Sequence, residues 1–100
     1  EFANTIGKLY LLRLTNEEES FLKVGVSVGF LNRLAKYRQD GFEVEVLKTS
    51  EDIAINIAEK ESDLLQFIKT NNFKYIPLTK FAGRTECAVL DAEDLIKERI

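Results

Sequence analysis

Hydrophobic and polar positions divide this chain into short strands and longer helices. Residues 7–14 (GKLYLLRL) form an apolar run whose type periodicity alone leaves open. The polar cluster TNEEES reads as a turn, and FLKVGVS beyond it has strand character. Residues 8–14 and 21–27 are therefore expected to pair as a β-hairpin. Residues 30–39 carry Phe30, Leu34 and Tyr37 at helical spacing and stop at Asp40-Gly41. Residues 42–47 alternate, with Phe42, Val44 and Val46 on one face and Glu43 and Glu45 on the other, as in a half-buried strand near a sheet edge. Ser50-Glu51-Asp52 reads as a helix start, a hydroxyl cap followed by acids favoured by the helix dipole. That helix is expected to run to about Thr70 and to end at Asn71-Asn72. Pro77 interrupts an irregular or edge-strand segment. Residues 85–90 suit a last short strand, and Asp91 suits the cap of a final helix from Ala92. The order β-β-α-β-α-β-α implies one small α+β domain with a mostly antiparallel sheet flanked by helices.

Two charges fall where apolar residues belong. The inward stripe of the first helix is 30, 33, 34 and 37, which places Arg33 on it. The inward stripe of the second is 54, 57, 58, 61, 64, 65 and 68, with Glu61 in its middle. A charge on an apolar stripe is costly unless it is paired, hydrogen-bonded or bound to an ion. An Arg33–Glu61 salt bridge, or two stripe-edge groups reaching solvent, would explain them structurally, and periodicity alone favours these readings. The sharper alternative is a shared polar cleft beside the sheet. Tyr37 lies one turn after Arg33. In the second strand Lys23, Gly25 and Ser27 share a face, either an ordinary solvent face or, with its glycine, a place for close approach of a ligand.

Composition narrows the chemistry. The chain has 100 residues, 45% hydrophobic and 31% charged, as expected of one globular domain. No apolar run reaches the ~18 residues of a membrane span, and no signal peptide is recognisable, so an intracellular location is expected. With no histidine and one cysteine, His-ligated zinc, His-based triads, intrachain disulfides and cysteine metal clusters are excluded. Catalysis must use carboxylates, tyrosines, lysines, arginines or a hard metal. Cys87 reads as a small core residue. The net charge of −3 argues against a free-standing nucleic-acid binder. Yet residues 69–84 hold Lys69, Lys74, Lys80 and Arg84 with no acid, interleaved with Phe73, Tyr75 and Phe81. This pattern suits phosphates and unstacked bases, or equally a loop of solvated lysines with aromatics turned inward. Glu1-Phe2 resembles a vector remnant, and both chain ends suggest a domain excised from a longer protein.

Taken together, these residues resemble the GIY-YIG nuclease superfamily over roughly residues 7–87. Lys8-Leu9-Tyr10 stands where Gly-Ile-Tyr is expected, and Lys23-Val24-Gly25 where Tyr-Ile-Gly is expected. Arg33 follows Gly25 by eight positions (33 − 25 = 8), with Tyr37 at the next turn. Glu61 is the candidate metal-binding glutamate because it combines the helix with the inward face; Glu59 is the fallback. Lys23-Val24-Gly25 and Gly83-Arg84-Thr85-Glu86 are similar to motifs of the virus- and phage-associated subgroup.

The resemblance implies a GIY-YIG-like fold and metal-assisted hydrolysis of DNA phosphodiesters. Glu61 would hold one magnesium or manganese ion. Arg33 would neutralise phosphate charge, Tyr10 would act as base, and Tyr37 would position phosphate or water. DNA would meet Lys23, Gly25, Ser27, Lys74, Lys80 and Arg84, with Glu86 a further candidate. A separate DNA-binding domain in the parent protein would supply affinity. The rival readings are a catalytically degenerate module that binds nucleic acid or protein, and a small protein–protein adaptor.

Overall fold

The computed structural model describes residues 5–100; Glu1 and Phe2, the suspected vector remnant, lie outside them. The chain organises around a hairpin of β1 (Ile6–Thr15) and β2 (Ser20–Ser27), with Tyr10 opposite Gly25 and Leu12 opposite Lys23. Its turn is held by Asn16 Oδ1, which accepts the backbone N–H groups of Glu18 and Glu19. Helix α1 (Phe30–Gln39) has the expected bounds and gives way to Gly41, whose φ of +98° suits glycine.

Strand β3 (Glu43–Ile53) pairs with the other side of β1. Helix α2 (Ala54–Thr70) follows, and Asn72 at φ +60° ends it as expected. A long irregular stretch leads to β4 (Cys87–Ala88), which joins β2. A 3-10 turn, Leu90–Ala92, precedes the short α3 (Glu93–Lys97). Among the described residues this gives a four-stranded, wholly antiparallel sheet in the order β3-β1-β2-β4, with three α-helices.

Both faces of the central strands are covered. Leu9, Leu11, Leu22 and Val24 pack against Ile57, Leu64 and Ile68 of α2 and against Ala92 and Ile96. Tyr10, Leu12, Leu14 and Phe21 pack on the opposite side against Leu34 and Tyr37 of α1 and against Phe42. Double coverage explains why residues 7–14 read as a run rather than an alternation. Each large apolar side chain so buried is worth about 1.5–3 kcal/mol.

Several boundaries differ from expectation. Ser50-Glu51-Asp52 does not open a helix: these residues finish β3, opposite Leu9, Lys8 and Gly7. Pairing to β1 overrides the cap signal, and α2 begins at Ala54 without a side-chain cap. The alternation expected from Phe42 holds at Phe42 and Val44, but a register shift at Leu11/Leu12 leaves Val46 exposed and turns Leu47 to the α2 side. On α2, Ala58 is exposed rather than inward. Of the strand expected over 85–90 only Cys87–Ala88 forms. Asp91 sits inside the 3-10 turn and caps no helix. The expected element order is thus matched only in part.

Candidate functional site

The site grows from the hairpin pair Tyr10/Gly25. A Cβ on Gly25 would lie well inside contact of Tyr10 Oη and Cζ. The space over this glycine is therefore filled by the protein's own phenol, which corrects the expectation that Gly25 admits a ligand. Tyr10 is fully buried, and its Oη lies 2.7 Å from Tyr37 Oη, delivered by the inward face of α1. Burial, then the hydrogen bond to Tyr37, push the Tyr10 phenol far above its ordinary pKa, against the opposing pull of Arg33.

Arg33 lies at the edge of the α1 stripe, exposed, where the sequence pattern placed it inward. Burial acts to lower its pKa, but hydrogen bonding to Tyr37 and the fields of both phenols raise it overall. No ion pair joins Arg33 to Glu61 among the described residues, so the structural salt bridge is not formed.

Glu61 is half-buried on α2. Burial raises its pKa first and the charge of Glu86 second, while Lys23 and Arg33 pull the other way. One carboxylate thus senses a second carboxylate, on the segment just before β4, and two cations, on β2 and α1. Glu59, the fallback, is exposed two positions away, which on a helix is the opposite side.

Lys23 is 1% exposed, so its face of β2 is not a solvent face. Its ammonium donates to Val24 O at 2.6 Å and to Glu86 Oε1 at 3.0 Å. Gly83, at φ +91°, passes so close that a Cβ there would lie 2.8 Å from Lys23 Cε. Lys23 is thereby held by the protein rather than presented to a substrate. Ser27, nearly buried, has its Oγ accept the Gly29 N–H at 3.0 Å. Lys8 lies over the Phe30 ring, 4.8 Å from its centroid.

Of the remaining candidates, Lys74 and Lys80 are exposed, and Arg84 is half-buried, donating to Pro77 O at 2.9 Å. The interleaved aromatics turn inward: Tyr75 and Phe81 stack on Phe21, and Phe73 packs on Phe67. Cys87 is a buried thiol pushed up to about 12, chiefly by burial, so it is inert as a nucleophile.

Among the described residues no group of three or more His, Cys, Asp or Glu is arranged to hold a metal. The charge of Glu86, itself bridged to Lys23, raises the proton affinity of Glu61. A single carboxylate with a second nearby suits a hard cation that keeps most of its water.

Sequence reasoning missed a clamp at Glu19. Its carboxylate accepts from Tyr75 Oη, Leu78 N, Thr79 N and Thr79 Oγ1, tying the hairpin turn to the 75–79 loop. These bonds outweigh burial and hold the carboxyl down at about 2. No local signal could have revealed partners nearly sixty residues away. The Lys23–Glu86 bridge was half-visible, since both residues had been singled out by their motifs. Comparison with models of known families, with curated proteins and with solved structures finds no match.

Proposed function

We propose that this domain is a GIY-YIG-like, divalent-metal-dependent DNA endonuclease that hydrolyses phosphodiester bonds. What supports the reading is the hydrogen-bonded Tyr10–Tyr37 phenol pair beside Arg33, together with the charges of Glu86, Lys23 and Arg33 acting on the Glu61 carboxyl. Glu61, with Glu86 beside it, would hold the ion. What bound magnesium or manganese supplies there is polarisation of the phosphate and stabilisation of the departing oxygen.

The chain's own groups do the rest. Arg33, exposed and facing the phenols, is placed to take non-bridging phosphate oxygens and neutralise charge that builds in the transition state. Tyr10 is a neutral phenol in the ligand-free protein, so its first role is to fix Tyr37 through the hydroxyl contact. Taking a proton from water requires phosphate-bound Arg33 and the bound cation to lower its affinity. Lys23 holds Glu86 in place and offsets part of the carboxylate repulsion. An acidic domain grips DNA weakly, so a further DNA-binding region or partner would supply affinity and sequence choice.

Neither Arg33 nor Glu61 takes part in an ion pair among the described residues, so removing either leaves the fold standing. The test is magnesium-dependent nicking of supercoiled plasmid: Arg33→Ala and Glu61→Ala abolish it with unchanged circular dichroism. Loss of activity only through unfolding would return both residues to a structural role.

A second reading, a non-catalytic module that keeps the fold and binds nucleic acid, is favoured by the strongly raised Tyr10 pKa and by the capture of Lys23. It predicts DNA binding and no nicking in magnesium or manganese.

A further inference from the structure

We infer that the groove between α2 and the 74–87 segment is a subsite for one unpaired nucleotide, and that the substrate presents single-stranded DNA beside the scissile bond. This rests on the nuclease reading and deepens it. Two adjoining cavities make the groove. The first, about 270 Å³, runs between Gln66 and Lys69 of α2 and Lys74 and Thr85 opposite, with Glu86 and Cys87 also on its wall. The second, about 210 Å³, continues past Lys74 and Thr85 to Ile76 and Arg84. Glu86 belongs to both the groove and the Glu61 cluster, so a strand lying in the groove reaches the proposed reacting phosphate directly.

Charge selects the occupant. Lys69 and Lys74 make no ion pair among the described residues, whereas Arg13, Lys36 and Lys97 elsewhere do. The segment 69–84 contains no acid, and Glu86 is already engaged by Lys23. In a chain of net charge −3, unneutralised lysines along one groove suit a polyanion. Arg84 Nε is buried without a hydrogen-bond partner among the described residues. The Arg84 guanidinium nonetheless adds a positive charge to the lining of the second cavity.

Size and lining select a single strand. Together the two cavities, about 270 Å³ and 210 Å³, are on the scale of one nucleotide, at the low end of the ~300–1,000 Å³ of small-molecule sites. Gln66 and Thr85 offer both donors and acceptors to a base edge, and exposed Ile76 offers it an apolar surface. Unpaired bases reach such a groove without the cost of unstacking a helix.

The test is fluorescence anisotropy of labelled hexathymidine, and of a labelled hairpin duplex with a G·C-rich twelve-pair stem, without metal. Wild type is expected to hold the single strand at least tenfold more tightly than the duplex. Lys69→Glu/Lys74→Glu, both at exposed positions, is expected to weaken single-strand binding at least tenfold. It should also reduce the log–log salt slope by about 1.4, at roughly 0.7 per phosphate contact. Lys36→Glu, on α1, should change neither. Equal affinity for duplex, or an unaffected double variant, overturns the subsite. Plasmid nicking run in parallel separates the two claims. Magnesium-dependent nicking without hexathymidine binding overturns the subsite alone. Groove-dependent binding without nicking in magnesium or manganese overturns the nuclease reading and leaves a nucleic-acid groove.

Discussion

Gly25→Ala probes the geometry at the heart of the site. The new Cβ would lie 2.8 Å from Tyr10 Cε1 and closer still to Cζ and Oη, where carbon atoms prefer about 3.5–4.0 Å. The ring cannot swing away cheaply. Tyr10 is fully buried, Phe30 packs beside it at 5.5 Å between centroids, and its hydroxyl is tied to Tyr37. Overpacking of this kind costs about 1–3 kcal/mol, and losing the hydroxyl contact adds about 1 kcal/mol. The expected destabilisation is therefore about 2–4 kcal/mol, read as a fall in the urea midpoint at unchanged m. Tyr10→Leu removes all three crowding atoms, so in that background Gly25→Ala should cost under about 0.5 kcal/mol. A similar cost in both backgrounds, or a wild-type-like Gly25→Ala, would refute the claim that Gly25 exists to seat the phenol.

Three further outcomes follow from the electrostatics. Glu86→Ala strands the Lys23 ammonium with one carbonyl acceptor and should cost about 3 kcal/mol, whereas Lys23→Met, which leaves a half-exposed carboxylate, should cost under about 1 kcal/mol; thermal melts of the two variants decide. Glu19 is held at about 2 against an ordinary 4.5, so its contribution is complete above pH 4.5 and is lost as pH falls toward 2. With its partial exposure allowed for, that is about 1 kcal/mol, and Glu19→Gln should flatten stability between pH 5 and pH 2.5 in urea titrations. Glu61 has the opposite sign: its raised pKa means the ionised carboxylate destabilises the fold as pH rises past 4.5. Glu61→Gln should therefore melt no lower than wild type at pH 7, and a lower melting temperature would return the residue to a structural role.

The hydrophobic pattern revealed what local spacing can encode and missed what pairing decides. Residues 30–39 were legible because Leu34 and Tyr37 face the core and Asp40-Gly41 stops the helix locally. Ser50-Glu51-Asp52 misled because its cap signal competes with pairing to residues 7–9 of β1, a partner more than forty positions away. Arg33, Tyr37 and Glu61 were found as chemistry because charge and phenol interrupt apolar stripes. Their mutual placement was not legible, and Arg33 turned out exposed at its stripe's edge rather than inward. The face of Lys23, Gly25 and Ser27 was seen as polar, but only the fold reveals that Tyr10 and the 83–87 segment cover it. Glu19 had no sequence signal, since its acceptor role depends on a loop brought back from residues 75–79.

The central claim is that the carboxylate of Glu61 works with Arg33 and the phenols in metal-dependent phosphodiester hydrolysis. It is tested most directly by the rate at which the domain converts supercoiled plasmid to nicked form in magnesium, in chelator, and with Glu61→Gln. Conversion by wild type in magnesium, lost in chelator and lost with folded Glu61→Gln, is the result expected. Conversion that persists in chelator or with Glu61→Gln, or none at all by wild type in magnesium or manganese, would contradict it.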